Sequence, residues 1–186
     1  MSNIVYFKSN ASLSTEKNLS DLIVLSRDKV TLWSDRDGFD WEAAVWPTHF
    51  NSIRFINIRA RGLHQSKIPE EQHLMTSPFI YFAKSYIRYT QNIRKTKTFR
   101  RAFAALQLLE AALIEINGNA DVTQISGKHL DRAVELMIFE EFKDRQGIGN
   151  ALQNIAKNLA TWNIREGANK SYGTRAFTGN PLILND

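Results

Sequence analysis

Seven basic side chains stand in a stretch of the chain that holds no acid. Between Glu71 and Glu110 there is no Asp or Glu, and Lys84, Arg88, Arg94, Lys95, Lys97, Arg100 and Arg101 all lie inside that window. The window carries more positive charge than the whole chain, whose 24 Lys and Arg against 19 Asp and Glu leave a net +5. On a helix with about 100° between successive residues, Lys84, Arg88 and Lys95 fall within about 40° of one another, with Tyr81, Gln91 and Asn92 nearby. Phe79, Phe82, Tyr86 and Ile93 fall on the opposite side. Arg100 and Arg101 then open the next helical pattern, where the helix dipole disfavours cations. A cluster that local electrostatics disfavours invites an anion, and the phosphates of double-stranded DNA are the obvious one. The amides of Gln91 and Asn92 are of the kind that reads adenine edges. A basic face that meets only water is the competing account of the same pattern.

Other chemistry is sparse. None of His49, His64, His73 and His129 has a second histidine three or four residues away, so no zinc-binding helix is written here. No glycine loop that cradles phosphate and no nucleophile elbow occurs. The chain has no cysteine, which excludes disulfides, thiolate metal sites and a thiol nucleophile. Asp35 with Asp37, and Glu140 with Glu141, read as solvated charge. Neither an enzyme nor a cofactor is expected of this chain.

The elements that must position the basic residues follow from periodicity. Residues 76–163 hold four helical patterns. The first starts after Ser77-Pro78, with proline at the first helical position. The second, from about Thr98 to Ile116, carries the widest apolar stripe and is expected to be the most buried. The third opens at Ser126 and the fourth near Gly147. Residues 1–75 are irregular: a short strand or buried arm at Ile4–Phe7, a helix over Thr15–Leu25 capped by Ser14, a strand-like run at Val30–Trp33, a turn over Ser34–Gly38, and a strand or short helix within Phe50–Arg59. Trp33, Trp41 and Trp46 are expected to pack this segment onto the rest. Periodicity is lost after residue 163. The expected fold is mainly α, a four-helix bundle over 76–163 with an N-terminal mixed α/β extension over 1–75 and a linker or tail over 164–186. No run of about 18 apolar residues and no secretion signal is present, so no membrane span and a cytoplasmic location are expected.

The helical segment resembles the N-terminal core-binding domain of tyrosine site-specific recombinases, the phage integrase family. The resemblance is carried by Phe82-Ala-Lys-Ser-Tyr-Ile-Arg88, by Arg94 through Leu113 with its basic entry into an Ala/Leu helix, by Val122-Thr-Gln-Ile-Ser-Gly-Lys-His-Leu-Asp-Arg-Ala133, by Gly149-Asn-Ala-Leu-Gln-Asn-Ile-Ala156 and by Gly179-Asn-Pro-Leu182. It covers roughly residues 76–182 and rests on helix lengths and entries. His129-Leu-Asp-Arg132 and Tyr172 spell the letters of that family's catalytic end. Without its hydrophobic surroundings or an earlier catalytic Arg or Lys, His129 reads instead as a surface residue at a helix start.

The resemblance implies a DNA-binding recognition portion of a recombinase, acting in DNA integration and recombination, with the catalytic domain absent. Its partners would be double-stranded DNA, that missing domain of the same polypeptide, and further copies of itself on DNA. A helical adaptor that sets its basic face on an acidic protein is the alternative. On the DNA reading, Lys84 and Arg88 touch phosphate and contribute nothing to stability.

Overall fold

Helical periodicity places apolar side chains such as Leu106, Leu109 and Leu113 on one face, and this pattern folds most of the second half of the chain into helices. The computed structural model describes residues 4–63, 69–96 and 98–165. Among them are helices α1 (Thr15–Asp28), α2 (Phe79–Arg94), α3 (Arg100–Asn117), α4 (Gly127–Phe139) and α5 (Arg145–Thr161). Strands β1 (Val45–Pro47) and β2 (Ser52–Arg54) form an antiparallel hairpin in which Trp46 faces Ile53. The mainly α class is therefore as expected. The helices group as α3 with α4 and α5, and α1 with α2, and α2 also touches α3.

Local chemistry sets the helix ends. Ser14 Oγ accepts from Lys17 N at 3.1 Å, and Asp144 Oδ1 accepts from Gly147 N at 3.2 Å. α5 thus starts two residues before Gly147, and Pro78 sits at the N-cap of α2, one residue before the helix. Val30–Trp33 is a turn, and Phe50–Arg59 divides between β2 and a 3-10 turn at Ile58–Ala60. Ile4–Phe7 is an arm: Phe7 N donates to Tyr89 Oη at 2.8 Å and its ring meets Trp162 edge-on.

His129 is a correction. It is 1% exposed. Its Nδ1 accepts the Ser126 N–H at 3.0 Å, so Nε2 carries the ring proton and donates to Asn117 Oδ1 at 3.0 Å. Burial holds its pKa below the ordinary value. The imidazole completes a capping box at the start of α4 and staples it to the end of α3. Arg132 binds the carboxylates of Glu115 and Glu135. Both residues of that recombinase-like spelling are occupied in holding helices together.

One hydrophobic cluster runs from Leu22 to Ile164. It joins Trp33, Trp41, Trp46, Ile53 and Phe55 of the first 75 residues to Phe79, Phe82, Leu106 and Leu109. The core does not break at residue 75. Ile164, expected in the tail, is fully buried, whereas residues 166–186, Tyr172 among them, lie outside the described residues.

The most buried helix is α2, not α3: eleven of its sixteen residues are buried, against eight of eighteen. Its basic stripe faces inward. Lys84 is 2% exposed and Arg88 1%. Lys84 Nζ donates to Trp41 O at 2.6 Å and stands 5.5–6.0 Å from the ring centres of Phe55, Trp46 and Tyr81. Burial lowers its pKa to about 8, against the pull of Glu42 and Asp40. Arg88 donates through Nε to Leu32 O (2.9 Å), through Nη1 to Ser26 O (2.9 Å) and Arg27 O (3.3 Å), and through Nη2 to Ser34 Oγ (2.5 Å). Its guanidinium also lies 4.7 Å from the Phe39 ring centre. The expectation that these two cations meet DNA is overturned. A helical wheel shows which side of α2 they share, but the N-terminal segment covers that side.

Trp33 lies between two of the groups that Arg88 holds, and its φ is +67°, a conformation rare for a bulky side chain. The clamp on both flanks and the ring contacts with Trp46 and Phe99 keep it there. On the other side of α2, Glu110 Oε2 accepts from Thr76 N at 2.6 Å and Thr76 Oγ1 at 3.2 Å, tying the entry of α2 to α3.

Removing the clamp strands buried carbonyls. Arg88→Ala is expected to lower the unfolding free energy in urea by about 3–5 kcal/mol, and Arg88→Lys to recover less than half, because an ammonium lacks the planar fork. Burial pushes the Glu110 carboxyl up to about 7 from 4.5, despite the two Thr76 hydrogen bonds. The folded state therefore holds this proton more tightly than the unfolded one. Its contribution is full below about pH 4.5 and is lost as pH rises through 7. Glu110→Gln, which keeps an acceptor for Thr76, is expected to leave stability unchanged at pH 4 and raise it by about 2–3 kcal/mol at pH 8. Urea melts at the two pH values check this.

Candidate functional site

The N-terminal segment does not lie flat against the helices. Between it and the α2–α3 junction remains a cleft of about 1080 Å³. One wall is the turn at Thr31–Trp33 with the β hairpin and Ala60–Leu63, and the other is the end of α2, the connection that follows it and the first two turns of α3. Arg54, Arg61, Lys95 and Arg100 line it, with His49, and none of the described lining residues is acidic.

Each wall is held by specific bonds. In the hairpin loop, Thr48 N and Thr48 Oγ1 both donate to Asn51 O (2.7 and 2.8 Å), and Thr48 Oγ1 accepts from Asn51 N at 3.0 Å. This tight turn carries His49 and Phe50 at its tip, and Phe50 is 87% exposed. Gln107 Nε2 donates to Ile56 O at 3.0 Å and fixes the strand exit to α3. Gln91 Nε2 donates to Thr96 Oγ1 at 2.7 Å, which shapes the turn where Lys95 caps α2 with φ +48°. Trp33, Phe99 and Phe103 supply apolar surface. Arg61 stacks 3.4 Å from the Phe142 ring centre and donates to Glu140 O at 3.1 Å, with burial lowering its pKa. Lys95 and Arg100 are exposed, and neither side chain forms an ion pair with a described residue.

The expected site residues divide accordingly. Lys95, Arg100, Gln91 and Asn92 line the cleft. The two amides are nonetheless buried, and Gln91 is committed to the turn, so neither stands on an open basic face. Asn92, only 8% exposed, makes no hydrogen bond to a described residue. Arg94 is exposed but does not line the cleft. Arg101 points to the other side, where its Nε meets Asp144 Oδ2 at 2.5 Å. Lys97, like His64, lies outside the described residues. Lys84 and Arg88 belong to the core.

Sequence reasoning missed Arg54, Arg61 and the exposed Phe50. A signal was present: from Glu42 to Glu70 there is again no acid, while Arg54, Arg59, Arg61 and Lys67 fall inside. The cleft is where the two acid-free windows meet.

What such an arrangement can do is bind. Positive charge with no carboxylate among the described lining residues, in a recess with low-dielectric walls, concentrates anions. No group of three or more His, Asp or Glu among the described residues could hold a metal ion, and no described helix is long and apolar enough to cross a membrane. No protein-family model, no curated protein and no solved structure matches this chain.

Proposed function

We propose that this chain is a DNA-binding module and that the cleft with its rim is the surface that meets the phosphate backbone. The observation that carries the proposal is the convergence of two separate acid-free windows on one recess, with Lys95 and Arg100 at its edge forming no ion pair with a described residue. A cation that only keeps a protein soluble needs no such company. Arg94, on the adjoining surface, can extend the contact. The Arg101–Asp144 pair is half exposed and so contributes little to stability; Arg101 can exchange its partner for a phosphate at small cost.

In the recombinase setting that the resemblance implies, the chain would be the core-binding half of the enzyme, gripping duplex DNA while a separate catalytic domain performs strand exchange. Lys84 and Arg88, part of that resemblance, support the reading only indirectly, by holding the cleft wall. Catalysis is not proposed for these residues.

Binding to a mixed-sequence duplex should be salt-dependent. With Lys95, Arg100, Arg94 and Arg54 engaged, log K against log salt should fall with a slope of about −3 to −4. Lys95→Ala combined with Arg100→Ala should flatten the slope by roughly 2 and weaken every sequence alike, leaving the melting temperature unchanged because both side chains are exposed. Fluorescence anisotropy across a salt series reads both. A slope near zero in the parent chain would remove DNA from consideration and leave the adaptor on an acidic protein.

A further inference from the structure

Resting on that reading, we propose that the cleft receives an unpaired nucleotide, with the base against Phe50, its polar edge toward Asn92, and the flanking phosphates on Lys95 and Arg100. A duplex meets a protein mainly through its backbone and groove edges, and contact of that kind occupies a rim. It leaves a recess of about 1080 Å³ unfilled. That volume is at the upper end of sites that enclose small molecules, which run to about 1,000 Å³, and it suits one or two nucleotides.

The lining fits a base in each of its parts. Phe50 is 87% exposed on a loop that its own hydrogen bonds hold rigid, so a large apolar face is presented to water at the mouth. Aromatic faces placed beside cations are how proteins hold unstacked bases, since every base has a π face. Asn92 supplies the second, independent observation. The residue is 8% exposed and lines the cleft, and its side chain makes no hydrogen bond to a described residue. A base edge offers matching donors and acceptors. With no carboxylate among the described lining residues, the phosphates can follow the base in. The unpaired nucleotide could come from DNA or from RNA, which share this chemistry.

The test uses the full chain and fluorescein-labelled 12-mers of one sequence: a DNA strand, the same strand as RNA, and the blunt DNA duplex, all at one low salt concentration. The single strand is expected to bind about tenfold more tightly than the blunt duplex. Phe50→Ala should cost single-strand affinity about tenfold and leave the duplex unaffected. The side chain is so exposed that folding is not at stake. Asn92→Leu, checked for an unchanged melt, should likewise weaken only the single strand. RNA binding as tight as DNA would support the site and show that the sugar is not read; much weaker RNA binding would support it as a DNA site. Duplex bound as tightly as the single strand, or Phe50→Ala weakening both alike, would overturn the inference while a steep salt slope kept DNA binding intact. If the parent chain bound neither strand nor duplex, the DNA reading itself would fall.

Discussion

The Arg88 guanidinium holds the architecture together by bonding to several places in the N-terminal segment at once. The carbonyls of Ser26 and Arg27 near the end of α1, the carbonyl of Leu32 and the hydroxyl of Ser34 have no regular secondary structure to pair with, and all converge on one side chain of α2. Only a planar cation with five donors can reach them together. Burial lowers its pKa to about 10, which still leaves it charged at neutral pH. Irregular backbone can be packed against a helix only if its polar groups are satisfied, and Arg88 is how this chain satisfies them. Trp33, held in its left-handed conformation between two of the clamped groups, is thereby turned toward Phe99 and becomes cleft wall.

Buried cations without carboxylate partners are uncommon, and here two lie one helical turn apart. Lys84 and Arg88 form no ion pair with a described residue; carbonyl dipoles and the faces of Trp46, Phe55, Tyr81 and Phe39 compensate them, and Glu42 and Asp40 add a longer-range pull on Lys84. Cation–π contacts of this kind gain strength when water is excluded. The consequence reaches the surface. No acid of α2 itself is needed to hold them, so the acid-free window runs the length of the helix to Lys95 at its end.

Much of the helical layout was legible because periodicity is a local property. The stripe of Leu106, Leu109 and Leu113 located α3, and Ser14 and Ser126 marked true N-caps. What periodicity cannot supply is the identity of the neighbour on each side. Lys84 and Arg88 looked solvated because their partner, residues 26–46, has little regular structure and so no pattern to match against them, and Gln91 because it bonds to the turn just beyond its own helix. His129 looked exposed because a histidine is not the usual residue at the third position of a capping box, where Glu or Gln is the familiar signature. The cleft was half visible: one acid-free window was read, and the second, from Glu42 to Glu70, becomes meaningful only once the hairpin is seen folding back onto α3.

The start of α3 carries the remaining electrostatic tension. No side chain caps its N-terminus, although Thr98 Oγ1 accepts the Arg100 N–H at 3.2 Å. Two arginines occupy the first turn, where the partial positive charge of the helix repels them. Arg101 is relieved by Asp144, but Arg100 faces the cleft beside Lys95 with no acid among the described lining residues. Each feature alone costs little. Together they leave two cations without an ion pair to a described residue beside a helix N-terminus, and a phosphate placed there would be attracted by both. The fold tolerates the arrangement because Arg88 and Glu110 anchor α2 through bonds of their own, so that Lys95 and Arg100 need take no part in holding the core.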